Sequence, residues 1–299
     1  MIRIRKYAAI DIGSNAVRLL IADIIENNEN DKVKFKKSAL VRVPIRLGED
    51  TFGIGEISEK NIMRLTDAMN AFQLLMSVHK VEKYKACATS AMRDASNGEY
   101  VINRILKKTG IKIDIIDGEI EAQIIAATDL GELLDNSKSY LYVDVGGGST
   151  EMTIYKKGEI VNSKSFKVGT VRMLNQKDAL SGIWEEMKDW VKQNTKGIKN
   201  ISLIGSGGNI NKIYKMSGRS DGSPLSFIYM KANYKYLKAM TYEERISELN
   251  LNQDRADVII PATKIYVSAM KWSDAKKIYV PKIGLSDGIV KSLYAGIIE

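Results

Sequence analysis

Three short turns in this chain carry glycine where backbone N–H groups could converge on an anion: Gly13-Ser14-Asn15, Gly146-Gly147-Gly148-Ser149 and Gly205-Ser206-Gly207-Gly208. Glycine reaches positive φ and lets the main chain come close to a ligand, so successive N–H groups can cradle phosphate oxygens. The third turn also precedes a helical pattern, whose N-terminal dipole favours anions. Hairpin turns use glycine for their own geometry, so each turn alone is a weak signal. Asp11 and Asp144 each close an apolar run just before such a turn. From there a carboxylate can hold Mg²⁺ against phosphate, directly or through water. Aspartate also caps turns; its recurrence in matching contexts is what favours function. Arg93, in ATSAMRDA, follows a short apolar run. Its guanidinium fork suits bidentate phosphate contact, with simple pairing to Asp94 as the alternative.

Other chemistries are excluded by what is missing. One cysteine, Cys87, leaves no disulfide framework and no thiolate-ligated iron–sulfur cluster within one chain. One histidine, His79, leaves no histidine metal cluster and no Ser-His-Asp triad. Any general base is therefore a carboxylate, a lysine or a tyrosine. The Walker pattern GxxxxGK[ST] is absent, and the third turn does not fit a dinucleotide fingerprint. The 45 basic residues outnumber the 36 acidic ones, a net charge of +9 that either draws anions (nucleic acid, acidic lipid or a phosphorylated substrate) or serves solubility alone. No block of five basic residues, no RNA-binding octamer and no zinc-finger spacing occurs, so a phosphorylated substrate is favoured over nucleic acid. No apolar run approaches the ~18 residues that span a bilayer, and Met1–Lys6 runs straight into a strand pattern instead of a signal peptide. A cytoplasmic protein without membrane or nucleic-acid partners is expected.

The elements that must position these residues fall into a repeat. Tyr7 to Ile24 reads as strand, turn, strand, with Asp11 at the mouth, and Tyr140 to Tyr155 reads the same way around Asp144, 133 positions later. A third strand is expected after Lys156-Lys157-Gly158-Glu159. Such spacing indicates two similar domains, here 1–128 and 129–299, with the boundary between Thr128 and Tyr140. Ile62, Leu65, Met69, Phe72 and Met76 recur at helical steps over about five turns. Strands at Tyr84–Thr89 and Ile111–Ile116 flank a helix at Tyr100–Lys108, with Ser96 and Glu99 as its capping box and Gly110 as its end. Asp117-Gly118 opens a helix containing Glu119 and Glu121. In the second half a helix from Ile183 to Gln193, a strand from Ile201 to Ile204, the GSGG turn and a Thr241–Glu244 capping box follow. Hairpins followed by βα units, twice over, describe an α/β fold with mixed sheets. Cys87 reads as a small buried hydrophobe and His79 as a solvated helix end.

Six motifs in order, DIGSNAVRL, ATSAMRDA, DGEIEA, VDVGGGSTE, GSGG and GLSDGI, closely resemble the exopolyphosphatase and guanosine pentaphosphate phosphohydrolase family, from Asp11 to about Val290. The resemblance implies an actin-like fold: duplicated ribonuclease H-like domains with a central cleft, shared with sugar kinases and Hsp70. It implies Mg²⁺-dependent release of terminal phosphate from inorganic polyphosphate, or conversion of pppGpp to ppGpp, with or without a monovalent cation; an actin-like small-molecule kinase and a catalytically silent binder of polyphosphate or nucleotide are the weaker alternatives. Residue by residue it places the general base on Glu121 and a phosphate-binding arginine on Arg93. Metal-associated acids fall on Asp144 and Glu151, and phosphate-binding turns on Gly13, Ser14, Asn15, Gly146, Gly147, Gly148 and Ser149; Asp11 as a further metal acid and Gly207 and Gly208 as further phosphate binders follow from their own turns. Many relatives carry a second acid where this chain has Ile120, and a hydroxyl residue where it has Ala16. A homodimer is expected, as is a short two-domain form that prefers shorter polyphosphate chains.

Overall fold

Tyr7 to Ile12 is apolar apart from Asp11 and buried throughout, as befits a strand with neighbours on both sides. The computed structural model describes residues 2–27, 32–126, 128, 135, 137–176 and 180–298. Strand β1 (Ile2–Ile12) pairs antiparallel with β2 (Val17–Asn27), which pairs antiparallel with β3 (Lys32–Val43). Helices α1 (Leu47–Ile54) and α2 (Glu59–Val78) follow. Then come β4 (Lys83–Ala88), α3 (Ser90–Asp94), α4 (Gly98–Thr109), β5 (Ile113–Ile115) and α5 (Gly118–Ala126). β4 lies parallel to β1, and β5 parallel to β4, so the sheet order is β3-β2-β1-β4-β5.

The second sheet is built from β6 (Ser139–Val145), β7 (Thr150–Lys156) and β8 (Glu159–Phe166), followed by α6 (Thr170–Asn175), α7 (Ser181–Thr195) and β9 (Ser202–Ser206). The chain continues through α8 (Gly208–Met216), β10 (Leu225–Ser226), α9 (Phe227–Ala239), α10 (Tyr242–Ser247), α11 (Gln253–Ala256), α12 (Ile259–Trp272), β11 (Lys277–Tyr279) and α13 (Leu285–Tyr294). Its order, β8-β7-β6-β9-β11-β10, repeats the first sheet with one short strand added at the edge. A three-stranded meander continued by parallel strands, twice in one chain, is the duplicated ribonuclease H-like α/β arrangement of the actin-like class. Alternation sorts the second sheet into two faces. Leu141, Val143, Val145, Met152, Ile154 and Leu203 enter an apolar core with helix residues such as Ile213 and Ile265. Tyr142, Asp144 and Glu151 point to the other face.

The chain divides into two compact units, Met1–Thr128 with Leu285–Glu299, and Asp129–Gly284. The second unit thus ends at Gly284, short of the C-terminus expected for it, because α13 packs on the first sheet. Lys37 Nζ meets Asp287 Oδ1 at 2.8 Å, Tyr294 Oη donates to Glu26 Oε1 at 2.9 Å, and the Tyr294 ring meets Phe35 edge-on at 5.6 Å. The expected linker between Thr128 and Tyr140 lies mostly outside the described residues. The capping box expected at Ser96 and Glu99 does not precede α4. Asn97, not Ser96, precedes α4, and its side chain is taken up across the fold by the Ile57 N–H and C=O at 2.9 and 2.8 Å. The Thr241–Glu244 capping box forms in full ahead of α10.

Candidate active site

The two hairpins close with the same hydrogen bond. Gly13 N–H donates to Ala16 O at 3.2 Å, and Gly146 N–H donates to Ser149 O at 3.0 Å. In each, the aspartate two residues before the first glycine faces the residue seven positions on: Asp11 opposes Arg18, and Asp144 opposes Glu151. Equal register with opposite charge gives the two turns different chemistry.

In the first unit Arg18 Nη1 donates to Asp11 Oδ2 at 2.8 Å, so the buried carboxylate already faces a fixed cation. This weakens the expectation of Asp11 as a metal ligand. The turn beyond it is held from behind. Gly48 N–H donates to Ser14 O at 2.8 Å and Arg46 N–H to Asn15 O at 3.0 Å, using donors that the start of α1 leaves without helical partners. A Cβ on Gly48 would lie 2.9 Å from Ser14 Cβ, so only glycine allows this approach. Buried Ser14 Oγ is 3.0 Å from Ser90 Oγ, which ties the turn to the first residue of α3.

Arg93 does not spend its guanidinium mainly on Asp94, which lies 3.8 Å from Nε. Its Nη1 donates to Ile116 O at 2.8 Å. The next residue, Asp117, caps α5 by accepting the Glu119 and Ile120 N–H groups at 2.9 and 2.8 Å. Arg93 thereby anchors the loop that starts the helix bearing Glu121. Glu121 is buried in the first turns of that helix, whereas Ile120 beside it is exposed. Cys87 is in register with Asp11 on β4. Burial pushes its thiol up to about 12, with the Asp11, Asp114 and Glu121 carboxylates adding to that and Lys85 opposing it.

In the second unit the carbonyls of the triple-glycine turn are all captured on one side. Gly146 O accepts from Thr170 N–H at 3.0 Å, and Gly147 O from Val171 and Arg172 N–H at 2.8 and 3.0 Å. Gly148 O accepts from Arg172 Nε at 2.8 Å. A Cβ on Gly169 would lie 2.5 Å from the Gly147 carbonyl carbon, so the start of α6 meets the turn backbone to backbone. With carbonyls fixed toward α6, the turn's peptide N–H groups face away from it. That orientation suits an anion nest.

Beside this turn Asp144 and Glu151, both buried, share one face of paired strands. Asp144 Oδ2 accepts from Ser206 Oγ at 3.1 Å. Glu151 Oε1 accepts from Ser149 Oγ at 2.6 Å and Ser165 Oγ at 3.0 Å. Like charges directly opposed are destabilising, and a cation between them would reverse the sign. Among the described residues no three His, Cys, Asp or Glu side chains form a ready-made metal cage. A cation here would complete its shell with water and phosphate, which is how Mg²⁺ is usually held. Gly207, at φ 112° and ψ 161°, brings its backbone against the same acid; a Cβ there would be 3.3 Å from Asp144 Oδ1. Tyr266 Oη donates to Ser206 O, and burial first, then Asp144, pushes its phenol well up. Gly208 begins α8.

The structure thus brings together Asp144, Glu151, Gly146 to Ser149 and Gly207 in one unit, and Asp11 with Gly13 to Asn15, and Arg93 with the Glu121 loop, in the other. Two cavities of the second unit, about 520 Å³ beside Tyr229 and Asn233 and about 410 Å³ beside Tyr214 and Tyr279, are lined by none of these residues. Sequence reasoning missed Arg18, Gly48, Gly169 and Arg172. The first was within reach, since a hairpin turn after Asp11 fixes Arg18 as its partner. The other three hold the turns from elements distant in the chain.

The sequence profile of the Ppx/GppA phosphatase family matches residues 24–295. The bifunctional 3-dehydroquinate synthase/phosphatase of Fusobacterium nucleatum is 37% identical over 67% of this chain and 32% of its own length. Exopolyphosphatase 2 of Mycobacterium tuberculosis is 31% identical over 56% of this chain and 53% of its own. The chain therefore spans about a third to a half of these relatives. The crystal structure of an exopolyphosphatase from Cytophaga hutchinsonii superposes with a TM-score of 0.85 at 25% identity, covering 98% of both chains.

Proposed function

Because the chain belongs to the Ppx/GppA phosphatase family, we propose that it hydrolyses the terminal phosphoanhydride of inorganic polyphosphate, releasing orthophosphate, with Mg²⁺ as cofactor. The observation that carries this reading is the buried Asp144–Glu151 pair at the mouth of a glycine turn whose carbonyls are all turned toward α6. Two buried acids side by side and N–H groups oriented for an anion suit one ligand, a metal-bound phosphate. Asp144 and Glu151 would hold Mg²⁺, which supplies charge neutralisation on phosphate oxygens.

The rest is done by the chain's own groups. N–H groups of Gly147, Gly148 and Ser149, with those at Gly207 and Gly208, hold phosphate oxygens in place. The Gly13-Ser14-Asn15 turn does the same in the first unit. Glu121 orients a water for in-line attack and takes its proton on a carboxylate oxygen, later releasing it to solvent. Arg93, held by Ile116 O, offsets charge on the terminal phosphoryl as the bond to the chain breaks. Positioning and electrostatics supply most of the acceleration, because the phosphoryl group needs little covalent help. The +9 charge raises the local concentration of a polyanion.

The test is phosphate release, with Mg²⁺, from short polyphosphate, long polyphosphate and pppGpp, by wild type and Glu121→Gln. Polyphosphate hydrolysis that falls at least 100-fold in the variant, with binding retained, supports the assignment. Activity on pppGpp alone transfers the reaction to the nucleotide. Absence of release from all three by folded protein refutes it.

A further inference from the structure

The C-terminal helix α13 meets the helix of Glu121 through Gly288. A Cβ built on Gly288 would lie 2.8 Å from Ile124 Cγ2 and 2.9 Å from the Ile124 carbonyl carbon, and nearer still to its oxygen. Two of those three atoms are backbone and cannot rotate away. Ile124 stands three residues after Glu121, so the two are neighbours along α5. The helix has only nine residues. Its start is pinned by the Asp117 cap and by Arg93 on Ile116 O, and its last turn is where Gly288 touches. Helix α13 is itself fixed, through Asp287 on Lys37 and Tyr294 on Glu26.

We propose that Gly288 is a positioning residue for Glu121, and that α13 is the strut that sets the height of the catalytic helix. This rests on the assignment of Glu121 as base. The absent side chain at 288 lets the two helix backbones come into direct contact, and any larger residue wedges α5 outward by roughly 1 Å. A shift of that size at a reacting group costs on the order of 100-fold in rate. It leaves the phosphate turns, which bind the substrate, where they are. The expected signature is a loss in kcat with little change in KM.

The experiment compares wild type, Gly288→Ala, Glu121→Gln and the double variant in steady-state hydrolysis of short polyphosphate. Hydrogen exchange is followed over residues 118–126. Gly288→Ala should lower kcat about 10- to 100-fold, leave KM within about twofold, and speed exchange in α5. In the Glu121→Gln background it should lower kcat no further, because the group it displaces is gone. Gly53→Ala, whose methyl group meets open space, should change neither rate nor exchange. If Gly288→Ala fails to fold, Asp287→Asn loosens the same strut without a clash and should give a several-fold loss in kcat at unchanged KM. Full activity in Gly288→Ala, a loss expressed in KM, or an equal further loss in the double variant overturns the proposal. Should Glu121→Gln itself keep full activity, the general-base assignment fails; exchange in α5 then still reports whether Gly288 holds that helix.

Discussion

Replacing Glu151 by glutamine should make the metal-free protein more stable while abolishing its response to Mg²⁺. Asp144 and Glu151 are directly paired across two antiparallel strands and are 9% and 2% exposed. The Cβ atoms of side chains so paired lie about 4.5–5.5 Å apart. Two unit charges at that separation repel by about 3 kcal/mol at an effective dielectric of about 20. The amide keeps its oxygen as acceptor for Ser149 Oγ and Ser165 Oγ, so these two hydrogen bonds survive while the repulsion is removed. Allowing for relaxation, a gain of about 1–2 kcal/mol, or roughly 2–8 °C in Tm, is expected for a unit of this size. In wild type, Mg²⁺ at about 100 times its Kd should add about 2.7 kcal/mol; in Glu151→Gln that increment should vanish together with phosphate release. Thermal melts of both proteins with and without Mg²⁺ decide it. A metal-free Glu151→Gln that melts below wild type, or one that keeps the full Mg²⁺ shift, refutes the idea that this pair is a strained cation site.

Two further outcomes follow from the same structure. Stability should fall as pH rises from about 9 toward 12. Burial raises Cys87 from 9.0 to about 12 and Tyr155 from 10.0 to about 12, and pushes Tyr142 and Tyr266 the same way. In that window the unfolded chain has released protons that the folded one still holds, so ∂ΔG/∂pH is negative; urea melts between pH 8 and 11 that show constant or rising stability would contradict this. Gly169→Ala would place a methyl group 2.5 Å from Gly147 and Gly148 backbone atoms and must shift the triple-glycine turn. It should cost about 10- to 100-fold in kcat/KM with Glu121 untouched, and unchanged kinetics would show that the turn does not hold the substrate.

Much of this molecule is written in stretches of fewer than twenty residues. The hairpins around Asp11 and Asp144, α2 from its helical spacing, the Thr241–Glu244 capping box and the Asp117-Gly118 start of α5 depend on neighbours within a few positions. Turn chemistry and periodicity are legible there. Even the placement of Arg18 and Glu151 opposite the two aspartates follows from hairpin register once the turn is known. Other features depend on parts of the chain that are far apart in sequence. That Asn97, and not Ser96, precedes α4 with its side chain bound by Ile57 is one. That α6 draws the carbonyls of Gly146 to Gly148 to one side is another, and the return of α13 to the first unit, to rest on Ile124 through Gly288, is a third. Local propensity depends on which residues are adjacent in the chain. The direction in which a peptide group or a carboxylate finally points depends on which distant backbone packs against it, and that is settled only when the sheets and helices close on one another.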